Sequence, residues 1–382
     1  MLDIVNKELQ GAVEKVNKNM PIYGNKLPNV SATLKFSERL SDDGDWTGSF
    51  WTGMVILAGV VTGETYSVED KYRDYLDSFY GIYERRLKTG WKDHDLGFLY
   101  TLYAMNAYRI TNDQKYMDMT IAAAKALMCR YNPKGGYIRA WNLLIRPERR
   151  EKLIIDCLMN LPLLFCVAKV TGNEYMSKAA ENHARATLNN IREDGSTYHT
   201  FDFDYVTGKP LKGESEGAFD DTSCWSRGQG WGIYGYTLAY LHTLDKEFLQ
   251  AATKIADHFI SKLDERKVPA WDFAIKAANE DAVDTSAGAI AASGLYDLAL
   301  CVDEEKAEFY RKTADDILLA LIKNHSHTFD ENSEALLDCA NCGLTHKDGK
   351  IFVNQWASIF GDYYYMEALV KRSGLHVNMW DL

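Results

Sequence analysis

Asp156 is an acid in aliphatic company, in the run Ile154-Ile155-Asp156-Cys157-Leu158-Met159. Burial among such neighbours penalises the ionised carboxylate and moves its pKa toward the range of a general acid. The competing role is a helix N-cap, where the helix end would favour the ionised form. Asp95 stands directly before the apolar run Leu96–Tyr108, again a natural cap. It has His94 on one side and a further acid, Asp93, just beyond. Two carboxyls facing one cavity divide into one ionised and one protonated group, the arrangement acid–base chemistry needs.

Arg227 lies in Trp225-Ser226-Arg227-Gly228-Gln229-Gly230-Trp231-Gly232. The glycines let backbone approach a ligand, and a guanidinium meets a carboxylate in a fork. A structural ion pair is the alternative. His199, in Tyr198-His199-Thr200-Phe201, fits either a ligand contact or a hydrogen-bonded structural histidine. Trp46, Trp51, Trp141 and Trp231 offer flat faces to sugar rings, or else belong to the core. A count of 23 tyrosines points the same way, toward carbohydrate.

Other chemistries find no support in the chain. The net charge of −11 argues against nucleic acid or an anionic membrane as partner. No apolar stretch has the length of a membrane-crossing helix, and the first residues lack a secretory apolar core. There is no Walker loop, no strand-linked GxGxxG and no GxSxG elbow. Cys339-Ala340-Asn341-Cys342 has no second Cys or His pair at zinc spacing, so no metal and no cofactor is expected. The seven cysteines, most in apolar runs, suggest reduced thiols and a cytoplasmic protein.

The elements that must carry these residues are helices. Apolar positions recur every three or four residues over 96–110, 116–131, 156–170, 174–191, 230–244, 248–263, 286–302, 307–323 and 362–372, and also from Leu2 to Met20. Strand alternation is confined to Tyr198–Tyr205. Six aromatic or acidic motifs begin at Asp45, His94, Ile154, Ser226, Asp284 and Phe360, each at the start of an apolar helix. Six helical hairpins presenting these starts to one mouth would make an all-α (α/α)6 barrel, a single domain over 1–382. An open α-solenoid is the alternative, but it gathers no common mouth.

In order along the chain, these motifs resemble glycoside hydrolase family 88, the unsaturated glucuronyl hydrolases. The resemblance rests on Asp45-Trp46-Thr47 with Phe50-Trp51, His94-Asp95-Leu96-Gly97-Phe98, Ala140-Trp141, Ile154 to Leu164, Ser196 to Phe201, Trp225 to Gly235, and Gly361 to Leu369. It implies a six-hairpin glycosidase that releases a Δ4,5-unsaturated uronic acid from the non-reducing end of lyase-generated, glycosaminoglycan-type oligosaccharides. The implied reaction hydrates the C4=C5 bond, unlike ordinary glycoside cleavage by two carboxylates. By the same resemblance Asp156 is the general acid that also activates water, and Asp95 is the second essential acid. His199, Arg227 and Trp231 match substrate contacts, Trp46 and Trp141 match aromatic platforms, and His94 accompanies Asp95.

Three places depart from the family pattern: Glu216-Gly217-Ala218 where a Gln is usual, Phe360 where a Trp is usual, and Asn341-Cys342 near a missing Tyr-His pair. They bear on the aglycone more than on the reaction. Lys347 and Lys350 suit a sulfate or a solvated surface loop. The rival readings are an unsaturated rhamnogalacturonyl hydrolase acting on pectin fragments, which tends to carry Asn at the position of Gln229, and a non-catalytic helical scaffold.

Overall fold

The computed structural model describes residues 1–63, 67–89, 92–141, 151–215, 220–279 and 282–382. Its helices sort into two kinds by what their surfaces can bury. One kind is apolar on most of its surface and buried along most of its length, with its exposed residues chiefly near the C-terminal end. These are α2 (Gly48–Thr62), the broken helix α5 (Leu96–Tyr100) to α6 (Asn106–Thr111), α8 (Pro162–Thr171), α10 (Ser226–Thr243), α12 (Thr285–Leu298) and α14 (Ile359–Arg372). Each packs on the next, and α14 returns to α2, closing a ring.

The other kind is amphipathic. α1 (Leu2–Tyr23), α3 (Asp70–Asp77) followed by α4 (Tyr80–Thr89), α7 (Gln114–Met128), α9 (Glu174–Thr187), α11 (Lys246–Ser261) and α13 (Glu304–Asn324) form the outer layer. In α11 the buried stripe Phe248, Ala251, Ala252, Ile255, Ala256 and Phe259 repeats at helical spacing, and Asp245 caps the helix by accepting the Glu247 amide at 2.9 Å. Each outer helix packs in the seam between two inner ones, as α11 does with α10 and α12. This double ring is the expected (α/α)6 barrel. Among the described residues no helix is long and apolar enough to cross a membrane.

Several helices differ locally from their sequence patterns. The run over 96–110 is interrupted by a π-helical turn at Thr101–Met105. The run over 156–170 opens as a 3-10 turn, Ile155–Asn160, and becomes α-helical at Pro162, which occupies a first-turn position where its missing N–H costs nothing. The alternation at 198–205 condenses into β5 (Thr200–Phe203), held between β4 (Lys152–Ile154) and β6 (Pro210–Glu214). A longer hairpin, β7 (Ala340–Lys347) with β8 (Lys350–Ser358), has no counterpart in the sequence reading, because neither strand alternates apolar and polar residues regularly. Lys347 and Lys350 face each other at its exposed tip.

The far end of the barrel is shut by a buried polar cluster. Glu367 accepts from Tyr363, Tyr234 and the indole of Trp380 at 2.8–3.0 Å. A buried carboxylate needs such donors to be tolerated.

Candidate active site

The six motifs all lie at the N-terminal ends of inner helices, and those ends meet. Trp46, before α2, packs on Phe98 of α5 and Phe360 of α14, with centroids at 6.2 and 5.2 Å. Arg227, in the first turn of α10, reaches Asp284, the N-cap of α12. One mouth therefore collects side chains spread from residue 46 to residue 360.

Asp156 and His199 are brought together by strand register. β4 pairs antiparallel with β5, Ile154 opposite Thr200, and the Ile155 amide continues the ladder to the His199 carbonyl at 3.0 Å. One residue further on, Asp156 Oδ1 stands 3.4 Å from His199 Nε2. The His199 ring meets Trp225 edge-on, centroids 4.6 Å apart. Asp156 caps no helix: the residue preceding its 3-10 turn is Ile154, so the N-cap alternative falls.

Asp95 occupies the N-cap position of α5, yet its side chain accepts no helical amide. Its Oδ1 lies 3.6 Å from His94 Nδ1. Burial drives the Asp95 carboxyl well above the ordinary carboxylate range, with the charges of Asp93, Asp156 and Asp45 adding to the effect. Burial also pushes His94 down to about 4, so this imidazole is neutral near pH 7. The argument from aliphatic neighbours had placed an elevated pKa on Asp156. The strongly raised group is Asp95: burial leads, Asp93 two residues before it comes next, and Asp156 and Asp45 from other loops add to it.

The two acidic turns are locked to each other. Asn160 Oδ1 accepts the Phe98 amide at 2.6 Å, and a Cβ on Gly97 would lie 2.3 Å from the Asn160 Cα. Below them Arg130 donates to the carbonyls of Lys92, Arg139 and Trp141, which ties the His94 loop to the Trp141 segment. Arg130 and Asn160 were missed as site residues. A lone Arg after a helix carries no motif, whereas Asn160 stood inside the Asp156 run.

Arg227 makes the structural ion pair weighed for it. Its Nη1 donates to Asp284 Oδ2 at 2.9 Å, Ser286 Oγ at 3.2 Å and the Asn341 carbonyl at 2.8 Å. The guanidinium lies against the rings of Trp225 and Phe360, at 4.5 and 5.0 Å. Among the described residues, Nε and Nη2 donate to no protein group, leaving one edge for an anionic ligand. Phe360, standing where a Trp is usual, supplies the aromatic wall.

The aromatic candidates separate. Trp46 and Trp141 are half-buried and able to present a face. Trp51 is core, its indole donating to Tyr75 at 3.1 Å. Trp231 has no exposed surface and packs between Phe98 and Tyr364, with centroids 5.4 Å from each. Among the described residues, the buried Trp231 Nε1 and Tyr364 hydroxyl have no hydrogen-bond partner. Glu216-Gly217-Ala218 lies outside the described residues.

A closed double ring of helices with buried acids, one arginine edge and indole faces at a single mouth defines a carbohydrate-processing enzyme class. The chain belongs to Glycosyl Hydrolase Family 88, whose model matches residues 24–374. It is a glycoside hydrolase. It is 34% identical to the unsaturated chondroitin disaccharide hydrolase of Streptococcus pneumoniae, covering 96% of this chain and 92% of that protein. It is also 34% identical to the unsaturated glucuronyl hydrolase of Bacillus sp. GL1, covering 93% of each. The crystal structure of unsaturated glucuronyl hydrolase from Bacillus sp. GL1, responsible for the degradation of glycosaminoglycan, superposes with a TM-score of 0.90 at 31% identity, over 100% of this chain and 99% of that one. A Streptococcus agalactiae enzyme in complex with dGlcA-GalNAc6S, an Asp-to-Asn mutant, matches with a TM-score of 0.80 at 31% identity, over 98% and 92%.

Proposed function

We propose that this enzyme removes a Δ4,5-unsaturated uronic acid from the non-reducing end of glycosaminoglycan-derived disaccharides by hydrating the C4=C5 bond. The observation that carries the reading is the meeting of the Asp95–His94 and Asp156–His199 pairs at one mouth, beside the open edge of Arg227. The substrate preference is supported by the relatives named for unsaturated glucuronides and chondroitin disaccharides.

Asp156 in its acid form gives its proton to C4, and the π electrons of the C4=C5 bond form the new C–H bond. The positive charge that develops at C5 is shared with the ring oxygen. The Asp156 carboxylate then takes a proton from water as that water adds to C5, which restores the acid. The resulting hemiketal opens, and rearrangement releases the aglycone without attack at C1. Asp95, holding its proton, donates a hydrogen bond to a ring hydroxyl and adds no second negative charge beside Asp156. Neutral His94 orients Asp95, and His199 orients Asp156. Arg227 holds the uronate carboxylate, and Trp46 and Trp141 flank the sugars.

The whole chain serves as one catalytic domain in this reading, and its seven free thiols suit a cytoplasmic location. Lyase-generated unsaturated disaccharides provide the test, since their conjugated C=C absorbs ultraviolet light and hydration erases the absorbance. In heavy water, deuterium should appear at C4 of the released product. Ready hydrolysis of a saturated glucuronide, or product without deuterium at C4, would return Asp95 and Asp156 to conventional glycosidase roles.

A further inference from the structure

A second cluster of chemically able side chains lies outside the barrel mouth. His325 and His327 alternate on the segment leaving α13, which pairs antiparallel with the segment entering β7 through a Ser326–Leu337 bridge. The His327 amide donates to Leu336 O at 2.8 Å, and the Asp338 amide donates to His325 O at 3.3 Å. Alternation puts both imidazoles on one side, and the register sets Asp338 against them. His325 Nδ1 lies 2.8 Å from Asp338 Oδ1, and His327 Nε2 lies 3.1 Å from Asp338 Oδ2. Cys339 completes the group, one ligand atom each from His325, Asp338 and Cys339 lying within 4.8 Å of the other two.

We propose that His325, Asp338 and Cys339 bind a zinc-class divalent cation, with His327 holding the second carboxylate oxygen. Tetrahedral zinc spaces nitrogen, oxygen and sulfur ligands about 3.3–3.6 Å apart, so modest side-chain rotation closes this cluster on an ion. A mixed imidazole, carboxylate and thiolate set selects zinc-like metals over magnesium or calcium. His327 then acts as an outer partner that orients the carboxylate. Asp338 has no lysine or arginine partner among the described residues. The similar trio Cys166, His242 and Asp381 differs there, since Lys169 already stands 3.6 Å from Asp381. The side chains of His325 and Asp338 keep 17% and 29% of their surface exposed, which leaves room for a water as fourth ligand.

The ion would be structural. The Cys339 carbonyl accepts the Thr285 amide at 3.2 Å, next to Asp284, which anchors Arg227. The cluster thus braces the wall behind Arg227 and does not depend on which reaction the mouth performs. The sequence offers no second Cys or His pair for Cys339 and Cys342, and no metal is expected from it there. The fold turns Cys342 toward Ala357 and brings Cys339 to a histidine and an aspartate instead.

Cobalt(II) added to chelator-treated, desalted full-length protein tests this. One equivalent should give a thiolate-to-cobalt charge-transfer band and tetrahedral d–d bands, both removed by zinc. Cys339→Ser should lose the charge-transfer band, whereas Cys166→Ser should keep it. His327→Gln should weaken cobalt binding about 10–100-fold, and His325→Gln should weaken it further while far-ultraviolet dichroism stays native. A wild type without a stoichiometric band, a band that survives in Cys339→Ser, or unchanged affinity in His325→Gln would overturn the proposal.

Discussion

Gly97 rests directly on the backbone of Asn160, where a Cβ would come within 2.3 Å of Cα and 2.4 Å of the carbonyl oxygen. Asn160 in turn accepts the Phe98 amide at 2.6 Å through its side chain and donates to the Asp156 carbonyl at 3.3 Å. One glycine and one asparagine therefore set the spacing between the turn that carries Asp95 and the turn that carries Asp156.

Gly97→Ala is expected to push these turns apart. The obstacle is backbone, which yields poorly, so destabilisation of about 1–3 kcal/mol is expected, with a fall in kcat larger than the loss of folded protein explains. Thermal denaturation together with single-turnover rates measures both. Wild-type kcat in Gly97→Ala would show that the spacing is not critical.

Asp156→Asn is expected to fold and to bind substrate yet lose about 10²–10⁴ in kcat, because an amide cannot deliver the proton. Equilibrium binding of an unsaturated disaccharide, followed alongside turnover, separates the two effects. Retention of more than a third of wild-type kcat would remove Asp156 from the role of proton donor.

Arg227→Ala should raise KM about tenfold or more, corresponding to a charge-assisted bond of roughly 1.5–3 kcal/mol, with a smaller fall in kcat than in Asp156→Asn. Asp284→Asn keeps a capping side chain on α12 but removes the countercharge at 2.9 Å from Arg227. It should raise KM by less than Arg227→Ala and leave melting nearly unchanged. Equal KM in both variants and the wild type on every unsaturated disaccharide would make Arg227 purely structural.

His94 and His183 should withdraw stability on acidification between pH 6.5 and 4, while the raised carboxyls of Asp95 and Asp362 act in the opposite direction. Burial depresses His94 to about 4 and His183 to about 3, from 6.5 for both. In that window the unfolded chain binds these protons and the folded chain does not, so folding loses stability as pH falls. His183 Nδ1 also accepts the Ile138 amide at 2.8 Å, a bond that protonation would break. Between pH 7.5 and 4.5, His183→Gln should lose less melting temperature on acidification than the wild type does, while starting from a lower value. The same pH dependence of melting in His183→Gln and the wild type would contradict the depressed pKa of His183.

Local patterns made much of this protein legible in its sequence. Helical periodicity over windows such as 248–263 needs only residues a few places apart, and it identified most of the helices. The six motif starts marked the inner-helix N-termini, because acids, glycines and aromatics placed before apolar runs are local signals. The same windows misread 96–110 and 156–170 as unbroken helices, since π and 3-10 turns keep nearly the same apolar spacing. The β7–β8 hairpin escaped notice because its strands lack the regular alternation of a half-buried sheet.

Membership of the set was written in sequence: Asp95, Asp156, His199, Arg227 and the tryptophans stand out by type and company. What each can do was decided by tertiary structure. The register of β4 on β5 put His199 against Asp156, and closure of the ring gave Arg227 the carboxylate of Asp284. Packing buried Asp95 and brought Asp156 and Asp45 from distant loops to join its neighbour Asp93, raising its pKa in particular. Periodicity is a property of neighbours along the chain. Desolvation and Coulomb energy depend on neighbours in space, and only packing decides those.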